Sequence, residues 1–230
     1  VSTMPIGPAQ SGKTPETTNP AKRIVPANPK AAGVVALAFT VLLYLVELVD
    51  RILPGNFEQG GIAPRSLSGI DGIAWAPILH GEWSHLVSNT VPVLVFGFLA
   101  MAAGIGQWLA VTATIWIVGG LGVWLMAPPG AVHIGASGLA FGWLAYLLVR
   151  GIFNRSIGQL VVAVVLFGIW GGMLWGVFPG QPGISWQGHL FGALGGVLAA
   201  WLVGRSGRAK PAKGPAGTGG PASAPGSLGV

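Results

Sequence analysis

The 230-residue chain has no cysteine, which removes disulfide frameworks, thiolate metal sites and a cysteine nucleophile, so that any nucleophile it carries is a hydroxyl. Charge is nearly as scarce. Asp, Glu, Lys and Arg make up 8% of the residues, 6 acids against 12 bases, too few for an ordinary water-facing surface. The first thirty residues hold no apolar core of the roughly 7 to 15 residues that a cleaved export signal needs, so the first apolar helix is expected to direct insertion itself. What the chain has instead is 52% hydrophobic residues, 39 Gly, 10 Trp and a mean hydropathy of +0.68, the composition of packed transmembrane helices whose glycines allow close approach.

Residues 1–32 and roughly 205–230 are rich in Pro, Gly, Ala, Ser and Thr without helical or strand periodicity, and both tails are expected to be disordered. The N-terminal tail contains a Walker A string from Gly7 to Lys13 and Thr14. That motif works only between a buried strand and a helix, and six residues before it with Pro15, Pro20 and Pro26 after it supply neither, so the match is read as coincidence.

Between the tails, apolar runs predict six spans at about 33–53, 85–103, 107–126, 137–149, 157–178 and 187–204, with no convincing internal repeat. The fourth is short. The longest connection, about 54–84, carries Pro54, Pro64, Pro77, Trp75 and Trp83 and is expected to be a partly structured loop at the membrane interface. Of the 12 cations, Lys13, Lys22, Arg23, Lys30, Arg150, Arg155, Arg205, Arg208, Lys210 and Lys213 fall on one side and only Arg51 and Arg65 on the other. The positive-inside rule then places both termini in the cytoplasm. The basic tails fit attraction to anionic lipid better than nucleic-acid binding.

With that topology, depth can be counted. Asn89 lies fifteen residues before Gly104, Ser137 thirteen before Arg150 and His189 sixteen before Arg205, which puts all three ~20 to 24 Å above the inner face. Three separate spans thus bring polar residues to one level. A serine hydroxyl needs a neighbouring base to take its proton, and a neutral histidine serves near pH 7, so Ser137 and His189 form a candidate nucleophile and general base. Gly135 and Gly138 leave room for a tight turn into a helix, where the Ser137 amide would be free to bind an oxyanion. His85 and Asn89, four apart on one helical face, are candidate oxyanion donors beside it. His80, before the span and off that face, is expected to brace the outer loop by hydrogen bonding. His133, in the short loop after Pro128 and Pro129, is read as another loop hydrogen bond.

The string of His80, His85 and Asn89, the G-x-S-G of Gly135 to Gly138, and His189 followed by Gly192 and Gly196 together resemble the rhomboid family of intramembrane serine proteases, in order and spacing across all six spans. The resemblance implies an all-α membrane protein, a six-transmembrane-helix bundle over 33–204. It also implies that Ser137 and His189 are catalytic, and that His85, Asn89 and the Ser137 amide form the oxyanion hole. Phe141 falls where the family usually stacks an aromatic ring on the catalytic histidine, often a Tyr. Gly188, Gly192 and Gly196 are implied to pack span 6 on span 4. The Trp-Arg dipeptide common after span 1 is missing, with Arg65 and Trp75 well apart.

Rival chemistries fit less well. A zinc protease motif needs H-E-x-x-H, whereas His80 and His85 are five apart with Glu82 misplaced. A transporter would show inverted repeats or acids within spans, and only Glu47 is a candidate. A rhomboid-like pseudoprotease that binds clients without cutting normally lacks the Ser or the His, and both are here. The expected function is therefore a serine endopeptidase of a bacterial inner membrane. Its partners would be transmembrane protein substrates and the lipid bilayer, with no metal, organic cofactor, nucleotide or nucleic acid.

Overall fold

A computed structural model describes residues 19–181 and 183–206. The Walker A string and the outer parts of both expected tails, 1–18 and 207–230, lie outside the described residues. Among the described residues six long helices carry the fold: α1 Pro29–Ile52, α2 Trp83–Ala100, α3 Ile105–Met126, α4 Ser137–Asn154, α5 Ile157–Trp170 and α6 Trp186–Ser206. Among the described residues there is no strand beyond a single antiparallel bridge between Ile62 and His133. Five segments of the described residues, Pro29–Ile52, Trp83–Ala103, Ile105–Met126, Ile157–Val177 and Trp186–Ser206, are long and apolar enough to cross a membrane. The remaining helix, α4, is 18 residues or ~27 Å long and occupies the centre, with Trp143, Leu144, Tyr146 and Leu147 wholly buried.

The fourth span does not stop at residue 149 as expected. Arg150 is no loop cation: it is 1% exposed, donates to the carbonyls of Ile24 at 3.1 Å and Leu99 at 3.4 Å, and stacks over Tyr146. With that charge satisfied inside, α4 continues to Asn154, and Arg155 closes it in the left-handed conformation with φ 50°.

The expectation of a disordered tail also fails for residues 19–32. Pro20–Lys22 forms one 3₁₀ turn, and α1 starts at Pro29, capped by the Asn28 side chain accepting from the Ala31 amide at 3.1 Å. Between these, the strap is held by buried amides. Gln159 donates to the carbonyls of Ala21 and Arg23 at 2.8 and 3.0 Å, and Asn154 donates to Ala21 at 2.9 Å.

Span 5 covers Ile157–Val177, close to its expected bounds, in two parts. The α-helix ends at Trp170, and the glycine pair Gly171 and Gly172 begins a 3₁₀ stretch that runs to Val177. Helix α6 packs on α4 through glycine: a Cβ at Gly192 would strike the Gly138 carbonyl, and one at Gly196 the Gly142 carbonyl. At the outer end, a Cβ on Gly138 would lie 3.2 Å from the Gly188 carbonyl, so the close face runs through all three α6 glycines.

The 53–82 connection is folded, as expected. It contains short 3₁₀ turns and one α-turn, Gly72–Trp75, and is tied to α3 by indole donors, Trp116 to the Ile73 carbonyl at 2.6 Å and Trp124 to Ser66 at 2.9 Å. Arg51, paired with buried Glu47 at 2.9 Å, donates to the Gly81 carbonyl and so fixes the approach to α2.

Candidate active site

Two backbone features place Ser137. Gly135 adopts φ 114°, a region that favours glycine, and its amide donates to the Ala76 carbonyl at 2.8 Å. A Cβ there would fall 2.6 Å from the His85 ring, so glycine is required twice over. The chain then enters α4, whose first helical bond runs from Ala140 N to Ala136 O at 3.0 Å, leaving the Ser137 amide in the first turn without a helical acceptor.

His189 comes from the first turn of α6, its amide donating to the Ser185 carbonyl at 3.1 Å. The imidazole is held on three sides. Its Nδ1 lies 2.9 Å from the Gly176 carbonyl, its Nε2 lies 2.9 Å from Ser137 Oγ, and its face stacks on Phe141 with ring centres 3.9 Å apart and planes 7° apart. A carbonyl only accepts, so Nδ1 carries the proton and Nε2 is the lone-pair nitrogen facing the Ser137 hydroxyl. Gly176 fits only as glycine, because a Cβ would lie 2.8 Å from Phe141 and 3.0 Å from His189 Nδ1. Sequence reasoning missed this partner, since a backbone carbonyl belongs to every residue and has no motif.

His85, Asn89, Ser137, Phe141, Gly176 and His189 all line one cavity of about 920 Å³. A smaller cavity of about 50 Å³ also touches Ser137 and is lined by Trp116, Gly120 and Val123 of α3. The residues counted to one depth in three spans therefore meet in space.

His80 hydrogen-bonds as expected of it, but does so inward, toward the site. It is 2% exposed, and its Nε2 accepts from Asn89 Nδ2 at 3.2 Å and from the Ala136 amide at 3.3 Å, with its ring edge-on to His85 at 5.2 Å. It joins the Asn89 amide to the residue before Ser137. Accepting at Nε2 requires a neutral ring, and burial, reinforced by the neighbouring His85, pushes its pKa from 6.5 down to about 4. His133 makes the expected loop hydrogen bond, Nδ1 to Ser185 Oγ at 2.6 Å, and burial lowers its pKa as well.

The arrangement offers a hydroxyl on an imidazole lone pair, an unpaired helix N-terminal amide and side-chain donors around one cleft. These are the parts of acyl transfer.

A family model for the Rhomboid domain matches residues 71–206. An uncharacterized protein of Mycobacterium tuberculosis is 48% identical over 179 residues, covering 74% of this chain and 75% of that one. The "Putative rhomboid protease YdcA" of Bacillus subtilis is 30% identical over 131 residues, covering 54% and 63%. Rhomboid-like protein 11, chloroplastic, of Arabidopsis thaliana is 32% identical over 143 residues, covering 56% and 50%. Since the domain match covers more than half of the chain, from the later part of the outer loop through every helix after α1, the chain, an integral multi-pass membrane protein, belongs to the rhomboid family of intramembrane proteases.

Proposed function

We propose that the chain is an intramembrane serine endopeptidase that cuts the transmembrane helices of single-span membrane proteins near their outer ends. The observation that carries this reading is the 2.9 Å contact between Ser137 Oγ and the unprotonated Nε2 of His189. As Ser137 Oγ attacks the scissile carbonyl carbon, His189 Nε2 takes its proton, and the imidazolium is stabilised by the Gly176 carbonyl at Nδ1. The oxyanion is bound by the Ser137 amide with His85 and Asn89. His189 then protonates the leaving amine, and a water attacks the acyl-enzyme with His189 again as base. A helical peptide bond is shielded by its own hydrogen bonding, so substrates that unwind at Gly, Pro or polar residues are favoured. The same reading puts both termini in the cytoplasm of a bacterial inner membrane, and reporter fusions after residue 204 should score cytoplasmic while those in the 53–82 loop score external.

The test is labelling with a serine-directed fluorophosphonate. Label should map to Ser137, and Ser137→Ala and His189→Ala should each abolish cleavage of a model transmembrane substrate. The double variant should be no worse than either single one, because the pair acts as a unit. Cleavage surviving in Ser137→Ala would remove the serine mechanism, and a folded wild type that neither labels nor cleaves would be a client-binding pseudoprotease.

A further inference from the structure

The two side chains of the proposed dyad come from different helices, and a 2.9 Å contact between them needs the outer ends of α4 and α6 held in register. The glycine faces below limit how closely the helices approach. Their dispersion contacts also hold the helices together, but these are non-directional, and a directional hydrogen bond between the outer ends fixes their register more closely.

Such a tie exists above the dyad. Ser185 stands immediately before α6, where its Oγ accepts from the Gly188 amide at 3.2 Å, capping the turn that carries His189. The same oxygen lies 2.6 Å from His133 Nδ1. His133 is itself fixed, its amide donating to the Ile62 carbonyl and its carbonyl accepting from the Ile62 amide, both at 3.0 Å. His133 and Ser185 each lie four residues before a member of the dyad, at 137 and 189. The two side-chain bonds and the two four-residue segments close a ring, with Ser137–His189 on one side and His133–Ser185 on the other. The remaining nitrogen of His133, Nε2, is buried without a partner among the described residues, so its ring is placed at some cost in unmade hydrogen bonding.

We propose that His133 is a positioning residue, which through Ser185 holds the capped first turn of α6 against the segment leading to Ser137 and so sets the separation of nucleophile and base. The proposal rests on the serine-protease reading above. Misplacing reacting groups by about 1 Å can cost ~10²-fold in rate, and although His133 and Ser185 also line the cleft, most of its lining comes from other residues.

The experiment compares His133→Ala, His133→Asn, Ser185→Ala and the double variant His133→Ala/Ser185→Ala in detergent and in liposomes. His133→Ala should slow both turnover and fluorophosphonate labelling of Ser137 by about tenfold or more, with KM within about twofold of wild type. His133→Asn, whose amide reaches the place of Nδ1, should restore most of the rate, and the double variant should be no slower than Ser185→Ala alone. Hydrogen exchange of the α6 first-turn amides, Gly188 and His189, should quicken in His133→Ala. Unchanged turnover in His133→Ala, failure of Asn to restore it, or losses that multiply in the double variant would overturn the proposal. If wild type fails to label at Ser137, the protease reading falls and exchange alone judges the tie: faster exchange at Gly188 and His189 upholds it, and unchanged exchange overturns it.

Discussion

The Nδ1 of His189 lies 2.9 Å from the carbonyl oxygen of Gly176, and this bond decides which nitrogen of the imidazole meets Ser137. The carbonyl is supplied by the 3₁₀ stretch after α5, a helix that leaves most of its surface exposed, so the base is oriented from the edge of the bundle. The close fit against Phe141 makes the contact sensitive to a single methyl group. Gly176→Ala should push the imidazole off Ser137 and lower kcat by at least about tenfold, the cost of a sub-ångström misplacement in a two-residue relay. Turnover measured with thermal unfolding in the same detergent checks this, and a kcat equal to wild type would mean the 3₁₀ stretch yields without moving His189.

Asn89 is proposed to meet charge that exists only in the transition state. Asn89→Ala should therefore lower kcat by ~10² to 10³, about 2.7 to 4 kcal/mol, with KM nearly unaltered. Asn89 also donates to His80, so its loss has a structural side. A drop in thermal stability large enough to account for the lost turnover would make Asn89 an interhelical hydrogen-bonding residue instead.

His80 gives stability a pH dependence. The folded protein keeps it neutral down to about pH 4, whereas the unfolded chain takes up a proton near 6.5, so between those values the unfolded state binds more protons. Its contribution is fully present above pH 6.5 and is lost as pH falls toward 4. The melting temperature should decline over that window, and His80→Gln should flatten the decline. The remaining slope comes in part from His133, whose pKa is lowered in the same direction. A wild-type melting temperature constant from pH 7 to 4.5 would contradict the neutral, buried His80.

The N-terminal strap should be a fixed part of the fold. Gln159 is 0% exposed and its amide serves two strap carbonyls, so Gln159→Ala would strand the Arg23 carbonyl, at roughly 1 to 3 kcal/mol, and leave the Ala21 carbonyl to Asn154 alone. Trypsin cleavage after Lys22 and Arg23 should be slow in the wild type and much faster in Gln159→Ala. Equal rates would show that the strap is held by other contacts.

Residue types and counting made the centre of the site legible. Ser137 follows a glycine turn, His189 opens an apolar span, and Asn89 sits four residues after His85, so a rise of ~1.5 Å per residue was enough to bring them to one depth. The packing of the α6 glycines on α4 was implied by the family resemblance, and their spacing by itself showed only that such a close face was possible. Helix ends were less legible. Arg150 read as a loop cation because a charge within an apolar run normally ends a span, and nothing in its neighbourhood in sequence announces that Ile24 and Leu99 would satisfy it.

Tertiary structure alone decided the partners. The Gly176 carbonyl, the inward turn of His80 toward Ala136, the bond between His133 and Ser185 and the docking of residues 20–24 on Asn154 and Gln159 all join positions remote in the chain, most through main-chain atoms. Composition and periodicity report which side chains are present and which face of a helix they occupy. They carry no record of where a backbone carbonyl points, because that depends on how each helix is rotated and how each loop closes once the apolar faces have packed.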